Sequence, residues 1–179
     1  MEDGRLGIVM ERCQNRNVAQ VRSAQGSERS AEVDLLRILM EMMEIVKKLH
    51  HAGIAHGNLE LGNWLISQRN CLRLTDFGSA VHIAVSDIAA KPLFDPRNSS
   101  FQKDILQLGR NLCELAFNRP CRYTEDTPRD LLHDAVSKKT HDYGYSEDLS
   151  MLICALIERS MTLTESIAFA KTALRRYLR

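Results

Sequence analysis

The stretch from Glu32 to Ala52 constrains this chain most. Val33, Leu36, Leu39, Met40, Met43, Val46 and Leu49 recur at helical spacing, and Leu35, Ile38, Met42 and Ile45 widen the apolar stripe beyond one face. A helix this apolar must be covered on several sides, so the rest of the chain has to supply the cover. Ser30 is the expected N-cap, Glu32 suits the first turn, Lys47 and Lys48 suit the last, and Gly53 is the expected stop. His50 and His51 read as cations at the negative end of the helix dipole. The methionines read as core packing.

Around this helix the chain is mainly helical. Leu6-Gly7-Ile8-Val9-Met10 reads as a strand, Glu11 to Asn17 as a break, and Ser23 to Ser30 as a loop. Trp64-Leu65-Ile66 and Leu72-Arg73-Leu74 form a hairpin across residues 67–71. Ser79 to Ser100, with Pro92 and Pro96, reads as one long loop. Helical spacing returns at Ile105, Leu108, Leu112 and Leu115 and ends near Asn118-Arg119-Pro120. Thr127 is the expected cap of a helix opening on Pro128 and running to about Val136. Ser146 opens another through Leu149, Leu152, Ile153 and Leu156. Thr162-x-x-Glu165 is a capping box ahead of Ile167, Ala170, Leu174 and Tyr177, and Arg175, Arg176 and Arg179 complement the far end of that helix.

Length and charge narrow the function classes. A chain of 179 residues that is 44% hydrophobic can bury one core. The net charge of +1 supplies no field for nucleic acid or an anionic membrane, so neither is an expected partner. No apolar run reaches membrane-spanning length, and Met1-Glu2-Asp3-Gly4-Arg5 does not open a signal peptide, which points to an intracellular protein, cytoplasmic or nuclear. Cys13, Cys71, Cys113, Cys121 and Cys154 are odd in number, scattered and without a Cys-x-x-Cys pair, so they read as reduced thiols. His82, His133 and His141 have no ligand partners at metal-site spacing.

Two motifs carry the chemistry. Residues 56–63 read His-Gly-Asn-Leu-Glu-Leu-Gly-Asn, and residues 76–78 read Asp-Phe-Gly, with the hairpin between them. Together they resemble the catalytic loop His-Arg-Asp-Leu-x-x-x-Asn and the metal-binding Asp-Phe-Gly of eukaryotic protein kinases. The order of long helix, loop, hairpin, tripeptide and long segment is that of the kinase C-terminal lobe. Asp104-Ile105-Leu106-Gln107-Leu108-Gly109 resembles the start of that lobe's central helix, where the aspartate anchors the catalytic-loop backbone. Ile8 to Cys13 resembles the last N-lobe strand and the hinge, and Arg159 stands where the lobe's late structural arginine would be. Asp95-Pro96-Arg97 is the nearest match to Ala-Pro-Glu, and its basic last residue removes the usual glutamate partner of Arg159.

The resemblance implies one domain over residues 1–179, with 6–13 as last N-lobe strand and hinge, 14–179 as C-lobe, and the N-lobe largely absent. Glu11, Cys13 and Leu65 fall at cofactor-binding positions, and Asn63 and Asp76 at the magnesium-binding pair. Asn58 stands where the base aspartate belongs, Glu60 where the phosphate-steadying lysine belongs, and Gly57 replaces the arginine that receives activation-segment phosphate. His56 and Phe77 match packing residues of the spine that crosses kinase domains. The implied function is a catalytically inactive binding or scaffold module with at most weak affinity for ATP and Mg2+, recruiting a protein partner or a second copy through its N-lobe-facing surface. A divergent serine/threonine kinase and an unrelated helical interaction domain are the alternatives.

Overall fold

The computed structural model describes residues 11–13, 16–24, 30–83, 99–124 and 126–178. The expected strand at Leu6 to Met10, Pro92, Pro96, the Asp95-Pro96-Arg97 triplet and Arg179 lie outside them. The described elements are mainly helical with two short antiparallel strand pairs: α1 (Val18–Ala24), α2 (Glu32–His51), β1 (Ile54–Ala55), β2 (Trp64–Ile66), β3 (Leu72–Leu74), β4 (Val81–His82), α3 (Ser99–Phe117), α4 (Arg129–Asp142), α5 (Glu147–Glu158) and α6 (Leu163–Tyr177). None of the described helices is long and apolar enough to cross a membrane.

The apolar width of α2 is used as its pattern requires. Leu35, Leu36, Leu39, Met42, Met43 and Val46 are all essentially inaccessible, covered by α3 on one side and α6 on another. Each such side chain contributes roughly 1.5–3 kcal/mol relative to exposure. The helix stops where Gly53 returns its N–H to the carbonyl of His50 at 3.0 Å.

Its start differs from expectation. The N-cap position is Ala31, in extended conformation and without a side-chain cap, while the carbonyl of Ser30 accepts from the Tyr145 hydroxyl at 3.1 Å. Glu32 is 3% exposed and points inward rather than toward solvent at the first turn. It accepts from the Ser146 backbone N–H at 2.8 Å, from the Ser146 hydroxyl, and from the Tyr177 hydroxyl at 2.5 Å. One buried carboxylate thereby joins the start of α2 to the start of α5 and the end of α6, and its three donors offset its desolvation.

Two short elements escape a reading by hydrophobic periodicity. Helix α1 lies mostly between the expected break and the expected loop and takes in Ser23 and Ala24 of the latter; its start is a reciprocal cap, in which Gln20 N–H donates to Asn17 Oδ1 at 2.8 Å and Asn17 N–H to Gln20 Oε1 at 3.1 Å. Strand β4 lies inside the expected loop and pairs with β1 in the register Ile54↔His82 and Ala55↔Val81. Ser99 and Ser100 already belong to α3. Helix α4 opens at Arg129 with Pro128 as its N-cap residue, Thr127 accepts from the Thr124 N–H at 2.9 Å instead of capping it, and the helix runs on past Val136 to Asp142. The expected caps on α5 and α6 are present: Leu149 N–H donates to Ser146 Oγ, and Thr162 and Glu165 cap each other. The Thr162 backbone N–H, and then its hydroxyl, hold the Glu165 carboxyl below the usual carboxylate range.

The core is organised on α3, which packs against α2 and, most closely, α5. Gly109 permits that approach. A Cβ there would lie 2.8 Å from the Ile157 backbone nitrogen and 2.9 Å from Leu156 Cβ, contacts that real side chains do not make. Gly109→Ala is therefore expected to push α3 and α5 apart and to cost about 1–3 kcal/mol, the range for overpacking a filled core. Urea unfolding followed by circular dichroism checks this, and an unchanged midpoint would show that the helices adjust freely.

Candidate functional site

The segment between β1 and β2 has almost no regular hydrogen bonding of its own, so its shape depends on side chains delivered from outside. Helix α3 delivers them from three positions on one face, Asp104, Gln107 and Asn111. Asp104, fully buried, accepts from the backbone N–H groups of His56 and Gly57, each at 2.8 Å, and lies 2.8 Å from His50 Nε2. Gln107 Oε1 accepts from the Leu59 N–H at 2.8 Å, and Asn111 Nδ2 donates to the Leu59 carbonyl at 2.5 Å. Backbone groups that would otherwise be stranded near the core are thereby satisfied one after another along the loop. Asp104 performs the anchoring that the motif resemblance implies. His50 departs from its expected role, since it is fully buried at the last turn of α2 and bonded to Asp104 rather than a solvated cation.

Gly57 has a specific steric reason to be glycine. Its φ is +77°, and a Cβ at this position would lie 2.7 Å from the Ser79 carbonyl oxygen. An arginine cannot stand here on this backbone. His56 closes the other side of the loop: Nε2 donates to the Thr75 carbonyl at 3.1 Å and Nδ1 accepts from the Asn58 N–H at 3.3 Å, which together place the proton on Nε2. Its ring meets Phe77 edge-on at 4.7 Å.

The hairpin then brings the two motifs to one mouth. Register Trp64↔Leu74 leaves Asn63 just before β2 and Asp76 just after β3, and Thr75 N–H donates to the Asn63 carbonyl at 3.0 Å. Asn63 Nδ2 donates to the Asn58 carbonyl at 3.0 Å, which holds the amide in place. Asp76 is exposed, has φ +63°, and makes no side-chain cap to the 3-10 turn that follows it. Both residues thus offer an oxygen, an amide carbonyl and a carboxylate, of the type that hard cations accept. Asn58 is half-buried in the loop, and Glu60 is exposed beside a cavity of about 290 Å³ lined also by Gln107, Arg110, Asn111 and Glu114.

The positions expected to meet a cofactor gather on the same hairpin. Leu65 pairs with Arg73 across β2 and β3, Arg73 Nε donates to Glu11 at 2.9 Å, and Asn17 bridges to Leu65. The hydrogen bond and charge of Glu11 raise the Arg73 pKa further, with a smaller contribution from Cys13. Arg159 ends α5 in left-handed conformation, and the Asp95-Pro96-Arg97 triplet, which lacks the usual glutamate partner, lies outside the described residues. Gln107 and Asn111 were not singled out from sequence. Their signal is two amides at i+3 and i+7 from Asp104, on the same face of the helix. Among the described residues no three His, Cys, Asp or Glu side chains form a metal cluster.

The protein kinase domain family matches residues 1–161. The chain belongs to the protein kinase family. This kinase-like chain is similar to retinal guanylyl cyclase 1 of Homo sapiens, at 25% identity over 93 residues, which are 50% of this chain and 8% of that protein. It is 31% identical over 71 residues to the hormonally up-regulated neu tumor-associated kinase of Mus musculus, covering 40% of this chain and 10% of the relative. Serine/threonine-protein kinase PLK4 of Nematostella vectensis is 30% identical over 86 residues, 48% of this chain and 9% of the relative. Each match thus spans a tenth or less of the relative's length. An unrelated helical domain is set aside by the family match.

The anchoring of the kinase-like loop by α3 makes a quantitative expectation. Removing the Asp104 carboxylate leaves His50 and two backbone donors without their acceptor, so Asp104→Ala should cost about 3–5 kcal/mol, as for a broken buried pair. Asp76→Ala, on an exposed residue, should leave the urea midpoint unchanged. Equal midpoints for the two variants would remove Asp104 from its place as anchor.

Proposed function

We propose that the chain is a catalytically inactive kinase-like lobe that acts as a binding or scaffold module in signalling. One observation supports this reading: Asp104, Gln107 and Asn111 anchor the backbone of the loop that resembles the kinase catalytic loop, while its sequence carries Asn58 and Glu60 where the resemblance expects a base and a phosphate-steadying cation. An amide is not a useful proton acceptor, and a positioned general base is typically worth about 10²- to 10⁴-fold in rate. Glu60 puts negative charge where charge on a transferring phosphoryl group has to be neutralised. Phe77 and Val81, about half exposed at 47% and 50%, supply apolar surface beside the loop for a protein partner or a second copy.

A second reading, a divergent serine/threonine kinase, is favoured by Asn63 and Asp76. They flank the same hairpin, and their oxygens are of the type that suits magnesium, which in kinases bridges and neutralises the ATP phosphates.

Phosphotransfer to a generic protein substrate separates the two. The parent chain and Asn58→Asp should both be inactive, because Glu60 remains an independent defect in the variant. Robust radiolabel transfer by the parent, or low-micromolar binding of ATP with Mg2+ in a calorimetric titration, would support the second reading. Transfer by Asn58→Asp alone would show that the base was the sole obstacle.

The binding role has its own check. Light scattering and affinity recovery are expected to show self-association or a protein partner that is lost in the Phe77→Ser/Val81→Ser double variant. A parent chain that is strictly monomeric, with recovered proteins unchanged by the variant, would remove this surface from the proposal.

A further inference from the structure

A second reactive centre lies away from the catalytic loop, at the far end of α3. Helix α3 ends at Phe117, and Asn118, at φ +50°, turns the chain back on itself. The returning segment is fastened to the helix it has left. Cys121 N–H donates to Glu114 Oε1 at 3.1 Å, and its carbonyl accepts from Arg110 at 3.3 Å. These two bonds hold Cys121 beside the turn of α3 that carries Cys113, the residue before Glu114. Both are nearly inaccessible across their whole surfaces, at 2% and 4%, yet both line a cavity of about 420 Å³. The other walls are Phe117, Arg119, Pro120, Arg122, Tyr123 and Lys139. That lining contains three cations and no carboxylate.

We propose that Cys113 and Cys121 form a reversible thiol–disulfide couple, oxidised by small hydroperoxides that enter this cavity.

The roles of the two sulfurs follow from their surroundings. Cys121 is the nucleophile: its interaction with the Cys113 thiol holds its pKa below the usual thiol range against the opposing effect of burial, assisted by the Tyr123 backbone and by Arg110. Cys113 is driven the other way by the same interaction and by burial, so it keeps its proton. The charged groups facing the pair are Arg110 and Glu114 from α3, Arg119 and Arg122 from the returning segment, and Lys139 from α4, whose ammonium sits 5.6 Å from the Phe117 ring and 5.5 Å from the Tyr123 ring. Cations outnumber the single carboxylate, which favours a thiolate.

The reaction balances in two steps. The Cys121 thiolate attacks the peroxide; the O–O bond breaks, the sulfur becomes sulfenic acid, and hydroxide or alkoxide leaves and takes up a proton. The Cys113 sulfur then attacks the sulfenic sulfur, its proton leaves with the hydroxyl as water, and the disulfide forms. Two thiols lose two electrons and the peroxide gains them. The two cysteines line one cavity, so the bond forms across it, and a thiol reductant reverses it.

The test uses the full chain with stoichiometric hydrogen peroxide, followed by non-reducing peptide mapping. The expected product is a Cys113–Cys121 linked peptide, lighter by two hydrogens and restored by dithiothreitol. Cys113→Ser should lose the link and leave a Cys121 sulfenic acid that dimedone traps; Cys121→Ser should lose both. In the unoxidised chain, iodoacetamide should alkylate Cys121 at a lower pH than an ordinary thiol. Cys154, whose thiol burial pushes up to about 11, should react at least about tenfold more slowly at neutral pH. Circular dichroism confirms that each variant is folded, and the alkylation profile of the parent chain needs no variant. Peroxide consumption at Cys13 or Cys71 with no linked peptide would overturn the proposal, as would Cys121 and Cys154 alkylating alike.

Discussion

The buried carboxylate of Asp104 is the interaction on which the functional face depends. Three groups from two places converge on two oxygens: the His50 ring from the end of α2, and the backbone of His56 and Gly57 from the loop itself. Without that acceptor these donors would lose the carboxylate they share, and the buried ones at a cost that exceeds the net gain of an ordinary hydrogen bond. The same carboxylate fixes where α2 ends relative to α3, so loop position and core packing are settled together. Gln107 and Asn111 extend the grip by two further turns.

All of these anchors bind backbone, and this has a chemical consequence. Main-chain N–H and C=O groups are present whatever side chain is attached, so α3 holds residues 56–59 without reference to what Asn58 carries. Asn63 likewise holds the Asn58 carbonyl, not its amide. Loop geometry and loop chemistry are therefore separable. An aspartate-to-asparagine or lysine-to-glutamate change at these positions alters reactivity while the structural hydrogen bonds stay in place. Gly57 is the exception, because Ser79 blocks any Cβ there and ties that position's identity to its conformation.

Long, strongly periodic elements were legible in the sequence, and so was the ordered motif set that surrounds them. Helix α2 declares itself through its apolar width, α5 and α6 through Ser146 and Thr162, and the hairpin through two short apolar runs at a turn's distance. What could not be read has a common physical character: polar residues whose partners are remote in sequence. Glu32 reads as a first-turn anion until Ser146 and Tyr177, more than a hundred positions away, are placed beside it. His50 reads as a dipole-complementing cation until Asp104 arrives from α3. Helix α1 is too short to show a period, although Asn17-x-x-Gln20 was a cap signal of the right form. The scattered cysteines read as reduced thiols, and the described structure has them free; that Cys113 and Cys121 line one cavity depends on a chain reversal, which a search for Cys-x-x-Cys spacing does not detect.

Helix α3 carries these separate tasks because its faces are chemically distinct. One face, Asp104, Gln107 and Asn111, is polar and holds the loop. Gly109 lies on another and lets the α5 backbone approach, while Ile105, Leu108 and Leu112 fill the core. At its end, Arg110, Cys113 and Glu114 hold the returning chain. Since a helix rotates about 100° per residue, residues one or two apart serve different neighbours while those three, four or seven apart share one. A displacement of α3 to accommodate a change on any one face would move the other faces with it. This explains why the least tolerant positions in the lobe are predicted to be a glycine and a buried carboxylate, rather than the residues that stand where the chemistry would occur.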